Sequence, residues 1–242
     1  MIDFYMAPSP NNKKIKIALE ELELPHNVIV LNVYGGDHLK PEFRAINPNL
    51  KVPAIVDHSP PDGGEPFSVF ESGAILQYLA EKTGKLLPKD MRGRMLAIQW
   101  LTWQMAGMGP FMGQASHFLR YAPPGDHTYA LNRYLNESRR LIHVINNRLK
   151  RVRYLAGDEY SIADVACWPV VTDFAPFIGV DLDEFEPIIR WRDEIRARPA
   201  IERTLNAPEF AVGRESARNP TLTEEERSNN FGERMLNAVI ED

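Results

Sequence analysis

The pattern of apolar and polar positions changes character near residue 84. Before it, short apolar runs alternate with one helical stripe at a time. Residues 2–6, IDFYM, read as a buried first strand. The stretch APSPNN (7–12) then predicts a turn, since two prolines, a serine and two asparagines do not continue a strand. Ile15, Ala18, Leu19 and Leu22 share one face of a helix predicted over about 12–23. NVIVLNV (27–33) reads as a second strand, parallel to the first across that helix. KVPAI and FSVF (67–70) supply two more strands. A loop over 58–66 carrying Asp62-Gly63-Gly64 joins them. Pro53 inside KVPAI lacks an N–H, so it predicts an edge position or a special turn, and a Val-Pro bond is one of the few that can be cis. Ile75, Leu76, Leu79 and Ala80 then define a helix, with Ser72 as its expected N-cap and Gly84 and Pro88 closing it.

This βαβ–ββα order is a thioredoxin-like α/β layout, expected over residues 1–84. After Pro88 the strand signals stop. Helical spacing fills 91–119, with a kink expected near Gly107, Gly109 and Pro110, then 127–151, 160–176 and 184–198. An all-helical C-terminal domain is therefore expected over 90–212. From Gly213 the composition turns polar, which predicts a C-terminal tail over 213–242. Within it FGERMLNAVI is either a short amphipathic helix or bare chain.

Composition narrows the class. With 242 residues, 44% of them hydrophobic, the chain can bury one large core or two moderate ones. A net charge of −5, with no basic block, gives no reason to expect nucleic acid or an anionic membrane as partner. No apolar run reaches spanning length and no signal-peptide pattern opens the chain. The single cysteine, Cys167, excludes an internal disulfide and suits a reducing compartment, so a cytoplasmic protein is expected. The six histidines show no ligand spacing, so no metal is expected.

The chemistry concentrates between residues 47 and 82. A helix N-terminus at Ser72 presents N–H groups suited to a carboxylate. Glu71 beside it can hold an ammonium group, and the main chain of Val52 can pair with an extended ligand. Together they suit a small zwitterionic peptide. A thioredoxin-like domain invites a C-x-x-C at the first turn, but the sequence there is Ser9-Pro10-Asn11-Asn12. Cys167 lies in the apolar run IADVACWP, where it reads as a small buried hydrophobe. A redox thiol at this site must then come from the ligand.

KVPAIVD and ESGAILQYLAEK resemble the glutathione-binding half of the glutathione transferase superfamily. With MIDFYMAPSPNNKKI, NPNLKVPAIVDHSPPDGGEP, WLTWQMAGMGPFMGQ and YSIADVACWP, the chain up to about residue 200 is similar to its nu-class members. These are glutathione-dependent disulfide-bond oxidoreductases related to fungal nitrogen-regulator prion-like proteins. The resemblance implies glutathione as cosubstrate, bound by Val52, Pro53, Glu71 and Ser72, with His38 and Lys51 at its glycine end. His38 stands where the family leads one to expect glutamine. It implies Ser9 and Asn11 near the sulfur, where a hydroxyl, an amide and backbone N–H groups lower a thiol pKa. The same donors would also cap the first helix. Tyr5, inside the first strand, reads as packing. Arg133 matches a family arginine that reaches glutathione from the neighbouring subunit of a homodimer, whose contact face is expected on 100–113.

The expected activity is reduction of small disulfides by bound glutathione thiols, with no redox cysteine in the protein. Two other activities use the same residues: conjugation of glutathione to small apolar electrophiles, and a binding or regulatory module with little turnover. Ser161-x-x-Asp164 reads as a structural capping box, and Trp100 and Trp103 as core or subunit contact.

Overall fold

The computed structural model describes residues 1–211 and 222–240. Contacts divide them into two compact units. Met1–Lys82 packs with the described residues from Ala207 onward, and Thr83–Asn206 forms the second unit.

The first unit is built on a four-stranded sheet of order β2-β1-β3-β4, where β1 is Ile2–Met6, β2 His26–Val30, β3 Ala54–Asp57 and β4 Phe67–Phe70. β1 runs parallel to β2 and antiparallel to β3, and β3 antiparallel to β4. Ile2, Phe4 and Met6 are buried on alternate positions of β1, as a period of two requires. β2 ends three residues before its apolar run does, because the chain leaves the ladder after Val30. β3 is internal, not an edge, and Pro53 stands just outside it behind a cis Val52–Pro53 bond. The missing N–H of Pro53 is therefore no loss to the ladder.

Helix α1 (Pro10–Glu21) starts inside the expected turn. Pro10 sits at its first position and Ser9 caps it, accepting from the Asn12 N–H at 3.4 Å and from Asn12 Nδ2 at 2.7 Å. A proline fixed near helical φ opens a helix as readily as it ends a strand. A short helix α2 (Pro41–Arg44) follows β2. Helix α3 (Ser72–Thr83) begins at Ser72 itself, so Ser72 is not its cap. Glu71 holds the cap position, and its carbonyl accepts the first helical bond, from Ile75 N–H at 2.9 Å. Asp57 at the end of β3 is fully buried. It ties the strand to α3 through Lys82 Nζ at 2.7 Å and Tyr78 OH at 2.7 Å.

The second unit is all helical: α4 (Met91–Trp103), α5 (Gly109–Arg120), α6 (Thr128–Leu149), α7 (Ile162–Phe177), α8 (Glu186–Arg196) and α9 (Pro199–Asn206). The interruption expected near Gly107 is a π-helical turn, Gln104–Met108, between α4 and α5. Ser161 and Asp164 form the capping box of α7, and Asp164 is the polar centre of the core. Its carboxylate accepts from Leu155 N–H at 2.8 Å, Ser161 N–H at 3.1 Å and Trp191 Nε1 at 2.9 Å. Cys167 is buried in α7.

Among the described residues three further helices belong to the first unit: α10 (Pro208–Ala211), α11 (Glu224–Phe231) and α12 (Glu233–Ile240). The polar stretch 213–221 lies outside the described residues, but the rest of the expected tail is helical. Thr223 and Glu226 make a capping box, and Glu224, Glu225 and Glu226 place negative charge in the first turn. FGERMLNAVI is helical from Glu233 onward. No helix among the described residues is long and apolar enough to cross a membrane.

Candidate functional site

A hollow of about 200 Å³ opens in the first unit, lined by Asn11, Asn47, Asn49, Lys51, Val52, Pro53, Glu71 and Ser72. A larger one, about 530 Å³, lies in the second unit, lined by Thr172, Asp181, Asp183 and Arg192 among others, but its guanidinium is already paired with Asp183 at 3.3 Å and Asp193 at 2.7 Å. Size ranks the second hollow first; chemistry ranks the first.

The smaller hollow follows from three local structures. Glu71 has a φ of 68°, in the left-handed region that side chains seldom occupy. This backbone turns β4 sharply into α3. Ser72 opens α3 and lines the hollow, so the first turn of the helix, the positive end of its dipole, borders it. The turn 47–51 forms the opposite wall. Asn47, 1% exposed, donates from Nδ2 to the Lys51 carbonyl at 2.6 Å, while its Oδ1 accepts from Asn49 N–H at 2.9 Å. Asn49 Nδ2 reaches the Glu71 carboxylate at 3.4 Å. No hydrogen bond engages the main chain of Val52 among the described residues. That leaves an N–H and a carbonyl for an extended ligand.

The hollow thus offers an anion seat at the helix end, an exposed carboxylate at Glu71, an unused stretch of main chain at Val52 just before β3 and a cation at Lys51. Protein packed around the Lys51 ammonium lowers its pKa below the ordinary lysine value, although the side chain keeps an exposed flank. Asn11 lines the hollow from the start of α1.

Of the residues expected from the sequence, Asn11, Lys51, Val52, Pro53, Glu71 and Ser72 come together here. Ser9 does not line the hollow; it caps α1 two residues before Asn11, its hydroxyl accepting from Asn12. His38 is buried, donating from Nε2 to the Asn229 carbonyl at 3.1 Å, and burial lowers its pKa. Arg133 belongs to the second unit, exposed on α6 with its guanidinium 5.2 Å from the Phe111 ring. Tyr5 packs against Phe43, ring centroids 5.8 Å apart, and burial raises its pKa. Asn47 and Asn49 were not singled out from the sequence. The signal was there in NPNLK, a turn sequence whose asparagines hydrogen-bond to their own backbone.

Comparison with known proteins identifies the family. The family model described as "Glutathione S-transferase, N-terminal domain" matches residues 8–82, and "Glutathione S-transferase, C-terminal domain" matches residues 111–199. Disulfide-bond oxidoreductase YfcG of Escherichia coli is 50% identical over 205 residues, 85% of this chain and 94% of the relative. A glutathione transferase from Burkholderia graminis, solved with two glutathione molecules per subunit, superposes with a TM-score of 0.79. It is 42% identical and covers 86% of this chain and 88% of its own. One from Pseudomonas putida, solved with one glutathione disulfide per subunit, has a TM-score of 0.80 and 39% identity, covering 86% of this chain and 91% of its own. Both halves of the family are thus present in order, the first of them carrying the hollow, and the chain belongs to the glutathione S-transferase family.

Proposed function

We propose that the protein reduces small disulfides with glutathione, using ligand thiols alone. One glutathione lies with its γ-glutamyl carboxylate at the N-terminus of α3, its ammonium at Glu71, its cysteinyl backbone along Val52 and its glycyl carboxylate toward Lys51. His38 lies behind that glycine end. Asn11, with the α1 N-terminus that Ser9 caps, faces the sulfur and favours the thiolate. The thiolate attacks one sulfur of the substrate disulfide, forming a mixed disulfide with glutathione and releasing the first substrate thiol. A second glutathione thiolate attacks the glutathione sulfur of that mixed disulfide. Oxidised glutathione forms, and the second substrate sulfur leaves as thiolate and takes up a proton.

The observation that carries this reading is the placement of sulfur in the chain. The first turn holds Ser9 and Asn11 where a redox cysteine would stand, and Cys167 is 0% exposed in α7. The names of the relatives support it, since the Burkholderia structure holds two glutathiones per subunit and the Pseudomonas structure the disulfide product. A homodimer, with Arg133 reaching the neighbouring site, and a cytoplasmic location belong to the same proposal. Met91 and Met95, exposed on α4, supply apolar surface for such a dimer upstream of 100–113.

The test is reduction of 2-hydroxyethyl disulfide by glutathione, coupled to glutathione reductase and NADPH, in wild type and Cys167→Ala. Undiminished activity in the variant is expected. Activity lost by a folded variant would make Cys167 the catalytic thiol. Inactivity of both proteins would move the function to conjugation or to a binding module.

A further inference from the structure

The C-terminal helices approach the two residues placed at the glycine end. Asn229 on α11 is 1% exposed. Its side chain donates to the Tyr34 carbonyl at 2.8 Å, and its own carbonyl accepts from His38 at 3.1 Å. Asn230 Nδ2 reaches the Val33 carbonyl at 3.3 Å, and the Arg44 guanidinium donates to the Ala238 carbonyl on α12. On the same helix Met235 meets Lys51, whose Nζ stands 3.4 Å from the thioether sulfur.

The last of these contacts is chemically unequal. A thioether is a weak acceptor, and an ammonium carries three donors. The partner that suits a partly desolvated ammonium is a carboxylate. Met235 therefore lies against the Lys51 ammonium, where a bound carboxylate would make the strong bond.

We infer that α11 and α12 form the outer wall of the glycyl subsite and make the enzyme selective for the unextended tripeptide. This rests on the glutathione reading above. Met235 stands 3.4 Å from the Lys51 ammonium, so a ligand prolonged past glycine on that side meets protein. The Lys51 ammonium, partly packed by protein, also favours a ligand whose terminal carboxylate ends beside it. The ligands excluded are those whose glycine carboxyl is bonded onward, as an amide to a polyamine or to another amino acid.

The experiment uses the full-length chain and two thiol substrates, glutathione and γ-Glu-Cys-Gly-Ala, in the disulfide assay. Three proteins are compared: wild type, Asn229→Ala with Asn230→Ala, and Met235→Glu. Wild type should favour glutathione by about 100-fold in kcat/KM. The double variant, which releases α11 from Val33 and Tyr34, should shrink that preference about 10-fold, by raising kcat/KM for the tetrapeptide. Met235→Glu supplies a competing carboxylate to Lys51 and should raise KM for glutathione about 10-fold with kcat unchanged. Hydrogen exchange over 224–240 reports whether the double variant has undocked the helices. Equal use of both thiols by wild type would overturn the inference. So would an unchanged preference after undocking, or an unmoved KM in Met235→Glu. Wild type that binds no glutathione by calorimetry would instead overturn the functional reading on which the inference stands.

Discussion

Glu71 concentrates the tension between fold and site in one residue. A non-glycine residue at a φ of 68° costs about 1–3 kcal/mol, and the structure keeps it beside the anion seat of α3. Glycine would relieve that strain, offset by its greater freedom in the unfolded chain. Glu71→Gly should therefore leave stability unchanged or raise it by up to about 1 kcal/mol, while glutathione affinity falls about 10- to 100-fold with the lost charge-assisted bond. Thermal melts and calorimetric titration check the two halves separately. A variant that melts well below wild type yet binds normally would show Glu71 to be structural only. At this scale the sequence was legible wherever chemistry and position coincide, as at Asn11, Lys51 and Glu71. It was less so where a side chain serves the backbone. Asn47 is buried and shapes the wall through the Lys51 carbonyl, a contact visible only once the turn is closed. The φ of Glu71 leaves no trace in residue type.

Two buried carboxylates hold elements together with opposite dependence on pH. At Asp57 burial alone would raise the pKa, but bonds from Lys82, the Ser59 N–H and Tyr78 outweigh it, and the pKa lies below the model-peptide value of 3.8. Its contribution to stability is present above 3.8 and fades as pH falls through the lower folded value. At Asp164 burial dominates the donors from Leu155, Trp191 and Ser161 and pushes the pKa up to about 6. Its contribution is full below 3.8 and declines as pH rises toward about 6. Melting profiles against pH should separate them. Relative to wild type, Asp57→Asn should lose most stability above pH 3.8, with the difference narrowing in stronger acid. The gap between wild type and Asp164→Asn should instead shrink as pH rises from 3.8 to about 6. Removing either carboxylate's side chain to Ala leaves its donors or its cation buried and should cost about 3–5 kcal/mol. The capping box at Ser161 was legible because Ser-x-x-Asp before an apolar run has a fixed geometry. The starts of α1 and α9 were not, because Pro10 and Pro199 sit at the first helical turn, where proline opens a helix and does not break one.

At the scale of the whole molecule, the sequence separated a polar tail from the body, whereas contacts group the described residues from Ala207 onward with the first unit. Pairs such as Lys16 with Glu209 at 3.3 Å, or His38 with Asn229, join residues nearly the length of the chain apart, and no local pattern encodes them. Assembly poses the same problem one level higher. Arg133 is exposed and rests on Phe111 within its own unit, and under the proposed homodimer it serves the glutathione site of a second subunit. Two singly defective chains decide the matter. When Asn11→Ala and Arg133→Ala chains are co-expressed, half of the dimers mix them. If Arg133 serves the neighbour, one site of each mixed dimer takes Asn11 from the Arg133→Ala chain and Arg133 from the other, and is intact. Disulfide reductase activity should then recover to about one quarter of wild type, while each variant alone stays low. If Arg133 serves its own subunit, every site in the mixture carries one defect and activity stays at the average of the two variants. Sedimentation of the wild type at micromolar concentration completes the logic, because a stable monomer would remove both the shared site and any role for Arg133 in it.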